Sequence, residues 1–191
     1  MTEILKLPGW CPNDKADILE SLAEQVKNRT HHGVIVEIGT YGGRSFFPMV
    51  KGSKGHALCI GIDPYNTGDC LEGQMEEKHV AWWGNVDLHQ VRLAYERELA
   101  KYPHAVHIYR KSQDAVDMFN DRSIDLLHID GNHSEQVSLQ DVKNWEPKIK
   151  RDGVIVFDDI DWPSTKRAQD ELYRRGWRKV NKHNNWGVYK Q

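Results

Sequence analysis

Several features are missing from this sequence of 191 residues, and each absence argues against a class of protein. It has three cysteines, Cys11, Cys59 and Cys70, and no C-x-x-C spacing, so neither a disulfide framework nor a cysteine zinc site is expected. No apolar run approaches the roughly 20 residues that span a bilayer. Neither charge sign dominates, because the formal net charge is -2, and this argues against a nucleic-acid binder with a basic face.

The same absences indicate where such a protein works. The opening stretch MTEILKLPGW has no basic-then-apolar signal pattern, and unpaired cysteines are typical of a reducing compartment. We therefore expect a cytoplasmic protein that binds neither nucleic acid nor a membrane. Its length suits one domain over residues 1–191.

The sequence does contain a regular alternation of apolar runs and helical patterns. Buried strands are predicted at 33–39, 56–63, 105–110, 124–130 and 153–160, and helices at 14–26, 43–50, 85–102, 112–119, 134–149 and 164–176. Most of these strands are apolar on both faces, as in a parallel sheet covered by helices on both sides. The last two runs, 177–183 and 186–191, flank an Asn-Asn turn signal. The pattern predicts a doubly wound, mostly parallel α/β sheet of seven strands with a C-terminal antiparallel hairpin.

Glycines follow the first predicted strand in the stretch VEIGTYGGRS. Gly39, Gly42 and Gly43 would let the backbone approach a ligand closely and leave helix N–H groups free. Their spacing departs from the dinucleotide pattern G-x-G-x-x-G, and Glu37 would repel a pyrophosphate while attracting an ammonium group. This favours S-adenosylmethionine over NAD. Asp63 ends the second strand and could accept both ribose hydroxyls, although it could also order the turn.

Three carboxylates end the fourth and fifth predicted strands, which we expect to be neighbours. Asp130, Asp158 and Asp159 would converge on one side of a cleft, where a hard divalent cation would relieve their repulsion. Helix capping is the alternative for one or more of them. His133 could take a proton from a metal-bound hydroxyl, or could serve only to order its loop. His128, within the strand, is expected to be a satisfied core residue.

The segment 64–84 has turn signals without a clean period, and it predicts a long functional loop. Trp82 and Trp83 in this loop could cover a substrate or form a dimer contact. Trp10 and Trp162 are further candidates for a pocket wall.

These motifs resemble those of class I S-adenosylmethionine-dependent methyltransferases. VEIGTYGGRS resembles the first motif of that family, and GIDPY resembles the second. The stretch from IDLLHIDGNHSEQ to GVIVFDDI resembles small-molecule O-methyltransferases typified by the macrocin and mycinamicin enzymes, and the related cephalosporin-hydroxylase-like proteins. The resemblance covers nearly the whole chain and implies a Rossmann-like methyltransferase sheet.

The resemblance also implies roles for individual residues. The implied cofactor contacts are Glu37, Gly39, Thr40, Tyr41, Gly43, Ser45, Asp63, Ser112, Gln113 and Asp130. The implied catalytic residues are Asp130 and His133, and the implied Mg²⁺ (or Ca²⁺) ligands are Asp130, Asp158 and Asp159.

Together the motifs lead us to expect a metal-dependent O-methyltransferase that uses S-adenosylmethionine. Its acceptor would be a hydroxylated small molecule, with a sugar diol favoured over a catechol by the resemblance. A homodimer is possible. Two alternatives stay open: a nicotinamide-dependent oxidoreductase, against which the lack of a Tyr-x-x-x-Lys pair argues, and a non-catalytic cofactor-binding protein on the same fold.

Overall fold

The computed structural model describes residues 6–29, 32–73 and 77–191, and within them seven strands form one sheet. The strands are β1 (Gly33–Ile38), β2 (Ala57–Ile62), β3 (Ala105–Ile108), β4 (Ile124–Ile129), β5 (Ile149–Asp158), β6 (Arg178–Lys179) and β7 (Trp186–Lys190). Their order is β3-β2-β1-β4-β5-β7-β6, with β1 to β5 parallel and β7 antiparallel to both β5 and β6. The predicted doubly wound sheet with a C-terminal hairpin is confirmed.

Helices cover both faces of this sheet because its central strands are apolar on both sides. The helices of the described residues are α1 (Asn13–Arg29), α2 (Phe46–Ser53), α3 (Thr67–Leu71), α4 (Glu77–Asn85), α5 (Leu88–Leu99), α6 (Ser112–Ala115), α7 (Glu135–Trp145) and α8 (Lys166–Arg174). One core packs α1, α2 and Tyr95 of α5 against the sheet, and the other packs α6, α7 and α8. Within the described ranges no helix is long and apolar enough to cross a membrane.

Several elements differ from their predicted bounds: α2 begins at Phe46 instead of residue 43, β3 ends at Ile108 instead of residue 110, and β6 covers only Arg178–Lys179 of the predicted 177–183. The segment 64–84, predicted as a loop, contains α3 and α4, and its residues 74–76 lie outside the described ranges. Neither helix buries a residue, so the sequence shows no apolar period there. β5 begins four positions before the predicted 153, because its polar start pairs with β4 across a register shift.

The strand register places the candidate site residues along one edge of the sheet. Ile38 of β1 lies beside Ile62 of β2 and Ile129 of β4, and Ile129 lies beside Phe157 of β5. The residues that follow these positions therefore leave the sheet together. The chain order reverses between β1 and β4, which is where ligands bind in open α/β sheets.

Candidate active site

A cavity of about 550 Å³ opens at this edge of the sheet, within the size range of small-molecule sites. The predicted site residues that line it are Gly39, Thr40, Tyr41, Ser45, Asp63, Ser112, Gln113, Asp130, His133, Asp158 and Asp159. The structure thus brings together residues from the ends of four strands. The predicted contacts Glu37 and Gly43 lie outside the cavity lining.

The glycine turn is shaped by close approaches of the backbone. Gly39 has a φ of 82°, and a Cβ there would lie 2.1 Å from the carbonyl oxygen of Asp130. Gly43 has a φ of 83°, and its Cβ would lie 2.4 Å from the ring of Phe47. Glycine is therefore required at both positions. The absence of a side chain at Gly39 lets the ends of β1 and β4 meet at the cavity. The absence of one at Gly43 leaves space for the ring of Phe47 in the core.

The Asp63 carboxylate links the turn after β1 to the turn after β2. Its Oδ2 accepts a hydrogen bond from the Tyr41 N–H at 2.9 Å, and its Oδ1 accepts one from the Tyr65 N–H at 2.8 Å. Both tyrosines have left-handed backbones, with φ of 43° and 49°, and the carboxylate helps to hold them there. A carboxylate has about four lone-pair sites, so acceptor capacity is left for a ligand hydroxyl. The turn-ordering role is present, and the ribose role stays a prediction.

Glu37 lies inside the sheet, beside His128 of β4. Both side chains are 0% exposed. The Glu37 Oε1 is 2.6 Å from His128 Nδ1 and accepts a hydrogen bond from Ser45 Oγ at 2.6 Å. Burial raises the pKa of Glu37 well above its ordinary value and lowers that of His128 well below its own. His128 lies in the core as expected, but it is only half satisfied, because its Nε2 and the Glu37 Oε2 are buried without a hydrogen-bond partner among the described residues.

The predicted acids are joined to two cationic side chains. Lys15 Nζ of α1 lies 2.5 Å from Asp158 Oδ2 and 3.6 Å from Asp130 Oδ2. His133 Nε2 lies 3.0 Å from Asp159 Oδ2 and 3.6 Å from Asp130 Oδ1. We call these five residues the charge cluster. Within it, each carboxylate has a basic side chain close by.

Burial and neighbouring charges set the protonation of Lys15 and its two aspartates. Burial lowers the pKa of Lys15, but Asp130 and Asp158 raise it by more, so the lysine is charged. Burial raises the pKa of Asp158, but Lys15 holds it below its ordinary value, so this carboxyl is ionised. Burial and the charge of Asp158 raise the pKa of Asp130 to about 7.

His133 is a cation in this arrangement. Burial lowers its pKa, but the hydrogen bonds to Asp130 and Asp159 raise it to about 10. The neutral imidazole expected from the sequence is therefore the minor form near neutral pH. Asp159 meets this histidine from a left-handed backbone with a φ of 47°, an uncommon conformation that is found at functional sites.

The three predicted metal ligands line the same cavity, but they do not form a close group of ligand atoms. Among the described residues, the group of potential ligands whose donor atoms lie within 4.8 Å of one another is Glu37, His128 and Asp130, without Asp158 or Asp159. A Mg²⁺ ion on Asp158 Oδ2 would sit at about 2.1 Å, and Lys15 Nζ is 2.5 Å from the same oxygen. Their repulsion would be on the order of several kcal/mol. The three aspartates therefore do not fit Mg²⁺ or Ca²⁺ while Lys15 holds this place.

Lys15 is a residue of the charge cluster that the sequence does not predict. A signal was available, since Lys15 precedes Leu19, Leu22 and Val26 by 4, 7 and 11 positions and so shares the buried face of α1. A lysine on the apolar stripe of a helix needs a buried partner. The sequence does not reveal which of its acids provides one.

Aromatic side chains form the rim of the cavity. Trp10, Tyr41, Trp82 and Trp83 pack together, with ring centroids 4.7 Å apart for Trp10–Trp82 and for Trp82–Trp83. Trp10 is 67% exposed. On another part of the rim, Trp162 stacks on His79 at 4.8 Å and meets His133 edge-on at 5.3 Å. All four tryptophans proposed as pocket or cover residues line the cavity.

A second polar group lies where the resemblance implies adenine. The Ser112 hydroxyl donates a hydrogen bond to Asp141 of α7, and burial raises the pKa of Asp141 to about 7. Nearby, Asn132 donates hydrogen bonds to the carbonyls of Asp69, Cys70 and Glu72. These bonds join the end of α3 to the loop after β4, and both segments line the cavity.

A sheet of this order, with a glycine turn and acids at its switch point, has the architecture of a Rossmann-like methyltransferase. Residues 36–160 match the family described as a methyltransferase domain, and the chain belongs to that family. This membership favours methyl transfer over the nicotinamide-dependent alternative.

Two sequence relatives and one solved structure are similar to this chain. An uncharacterized protein of Sinorhizobium fredii is 30% identical over 131 residues, which are 66% of this chain and 13% of that protein. An uncharacterized protein of Acanthamoeba polyphaga mimivirus is 33% identical over 146 residues, which are 74% of this chain and 57% of that protein. The chain therefore spans less than two thirds of either relative. The solved O-methyltransferase NovP matches with a TM-score of 0.74 at 16% identity, over 93% of this chain and 79% of NovP.

Proposed function

We propose that this protein is an S-adenosylmethionine-dependent O-methyltransferase that acts on a hydroxyl of a small molecule. The observation that carries the proposal is that the Gly39 turn and the charge-cluster residues Asp130 and Asp159 face one cavity. A methyl donor and an acceptor hydroxyl must meet in one place, and this cavity offers polar groups for both. The methyltransferase family and the fold shared with an O-methyltransferase support this reading.

The glycine-turn side of the cavity fits S-adenosylmethionine. Gly39 lets the ends of β1 and β4 meet at the cavity, and Thr40 and Ser45 line the same region. Asp63 has acceptor capacity for ribose hydroxyls, and Ser112 borders the proposed adenine position. When bound, S-adenosylmethionine supplies a methyl group already activated on a positively charged sulfur.

The rim suggests the class of acceptor. Flat aromatic faces bury a large apolar area at little entropic cost. The exposed faces of Trp10 and Trp82 offer this area to a ring-shaped acceptor, and the charge cluster offers polar partners for its hydroxyls. A sugar diol remains the favoured acceptor, with a catechol next, in keeping with the resemblance to macrocin and mycinamicin O-methyltransferases.

Asp130 is the proposed proton acceptor. Its pKa of about 7 suits a general base that works near neutral pH. The hydroxyl proton passes to a carboxylate oxygen of Asp130 while the hydroxyl oxygen forms its bond to the methyl carbon, and the carbon–sulfur electron pair stays on sulfur. His133, charged and placed between Asp130 and Asp159, orients the two carboxylates.

The test uses S-adenosylmethionine with a trideuterated methyl group, a panel of sugar diols and catechols, and mass spectrometry of the products. We expect a deuterated methyl ether, and we expect Asp130→Asn to lower kcat about a hundredfold or more. Asp63→Asn should weaken S-adenosylmethionine binding about tenfold or more in calorimetry. The exposed Asp121→Asn is the control. Binding without transfer to any hydroxyl would favour the non-catalytic alternative, and no binding would overturn the proposal.

A further inference from the structure

Lys15 is the one member of the charge cluster that lies outside the cavity lining. Its side chain is 1% exposed, and its Nζ reaches across the fold from α1 to the ends of β4 and β5. There it lies 2.5 Å from Asp158 Oδ2 and 3.6 Å from Asp130 Oδ2. The ammonium therefore contacts both carboxylates without lining the cavity, whereas both aspartates do line it.

The contacts of Lys15 explain how the two aspartates can lie so close together. Neighbouring carboxylates repel each other, and a buried ammonium is costly unless it is paired. A lysine ammonium is a compact charge with three donors, so one group can serve two acids. In many other proteins a divalent ion bound by several carboxylates relieves the same repulsion.

We propose that the Lys15 ammonium takes the place of a divalent cation within the charge cluster, so that the protein works without a metal ion. Lys15 is then a positioning residue, since it holds Asp130 and Asp158 and lies outside the cavity. The catalytic part of this inference rests on the proposed methyltransferase function. The part that concerns metal binding does not.

The first experiment uses the full-length wild-type protein after treatment with EDTA. Mn²⁺ serves as the probe, and the electron paramagnetic resonance signal of free Mn²⁺ reports binding. We expect no stoichiometric loss of that signal, and methyl transfer within about twofold of its rate without EDTA. Stoichiometric Mn²⁺ binding that Asp158→Asn abolishes would overturn the proposal, as would a loss of transfer in EDTA that Mg²⁺ restores.

The second experiment compares Lys15→Met with Lys150→Met. Lys150 is the matched control, because its Nζ pairs with the buried Asp125 at 2.8 Å, away from the cavity. Lys15→Met should gain Mn²⁺ binding and lose transfer by about tenfold or more, with partial recovery in Mg²⁺, whereas Lys150→Met should do neither. A Lys15→Met protein that matches wild type in both measurements would overturn the proposal.

The outcomes separate this inference from the proposed function. If circular dichroism shows that Lys15→Met does not fold, the wild-type measurements decide alone. If no acceptor is methylated, the proposed function fails, and the Mn²⁺ titration still tests whether the lysine occupies a cation's place.

Discussion

Lys15 and His133 are both cations at the same edge of the sheet, and their surroundings give them different tasks. Lys15 lies outside the cavity lining and holds Asp158 and Asp130. His133 lines the cavity and lies between Asp130 and Asp159, so its charge depends on both carboxylates. The behaviour of each residue is therefore a property of the cluster and not of the residue type.

The stability of the protein should depend on pH through His133. Its pKa in the folded protein is raised to about 10, so its stabilising contribution is complete below its ordinary value of about 6.5 and is lost as the pH rises towards 10. The loss amounts to at most about 5 kcal/mol, because one pKa unit corresponds to about 1.4 kcal/mol. Urea unfolding at several pH values between 6 and 10 measures it.

His133→Gln should remove most of this pH dependence. His89→Gln is the control, since His89 is an exposed histidine of α5. An unchanged slope in His133→Gln would show that other groups titrate in this range and that the histidine is not held as a cation.

The sequence predicts the cavity-lining acids but not their partners. Asp63, Asp130 and Asp158 are recognisable because each follows a buried strand, and parallel strands end at a common edge. The partner of Asp158 is Lys15, 143 residues away along the chain. No local sequence pattern links residues that far apart, so the salt bridge on which the metal-free proposal rests becomes visible only in the fold.

At the scale of elements, α4 carries its aromatic side chains on one side. His79, Trp82 and Trp83 are three and four positions apart, so they lie on one helix face, and all three line the cavity. None of the residues of α4 is buried. The helix thus covers the cavity through ring contacts, which explains why its sequence looks like a loop.

Removing one ring of this cover should weaken acceptor binding. Trp82→Ala is expected to raise the KM for the acceptor about tenfold, because an aromatic contact that the bound acceptor covers contributes on the order of 1 kcal/mol or more to its binding. Binding of S-adenosylmethionine should change by less than about threefold. Trp82→Phe keeps an aromatic face and is the matched control. Equal effects on acceptor and cofactor would place Trp82 in a structural role.

The turn after β1 should be intolerant of a side chain. Gly39→Ala puts a Cβ 2.1 Å from the Asp130 carbonyl oxygen at a left-handed φ, so we expect a loss of more than about 2 kcal/mol of unfolding free energy. Gly84→Ala in α4 is the control, because its Cβ meets nothing within 4 Å. That change should be neutral or stabilising by up to about 1 kcal/mol. Thermal unfolding of both variants measures the difference.

At the scale of the whole molecule, the C-terminal hairpin joins both cores. Trp186 and Val188 of β7 pack into the core of α1 and α2, whereas Trp177 and Tyr189 pack into the core of α6, α7 and α8. A strand whose residues alternate between two cores ties the layers of the fold together. This agrees with the expectation of one domain over residues 1–191, which remains a prediction.

Trp186→Ala should therefore destabilise the molecule as a unit. Trp186 is 1% exposed, and its truncation is expected to cost about 3–5 kcal/mol while the unfolding transition stays single. Val180→Ala, in the same hairpin at a position 57% exposed, should change stability by less than about 0.5 kcal/mol. Urea denaturation followed by circular dichroism and fluorescence tests both. Two separate transitions would contradict the single-domain prediction.

The position of Lys15 also affects how this protein can be divided for expression. The family match begins at residue 36, so a fragment cut to its limits would keep the glycine turn and the aspartates and lose α1 with its ammonium. Such a fragment would keep the acids without the ammonium that neutralises Asp158, and it would also lose the C-terminal hairpin that packs into both cores. Expression limits for this protein should therefore include both α1 and β7, because the charge balance of the site and the packing of the cores depend on segments outside the family match.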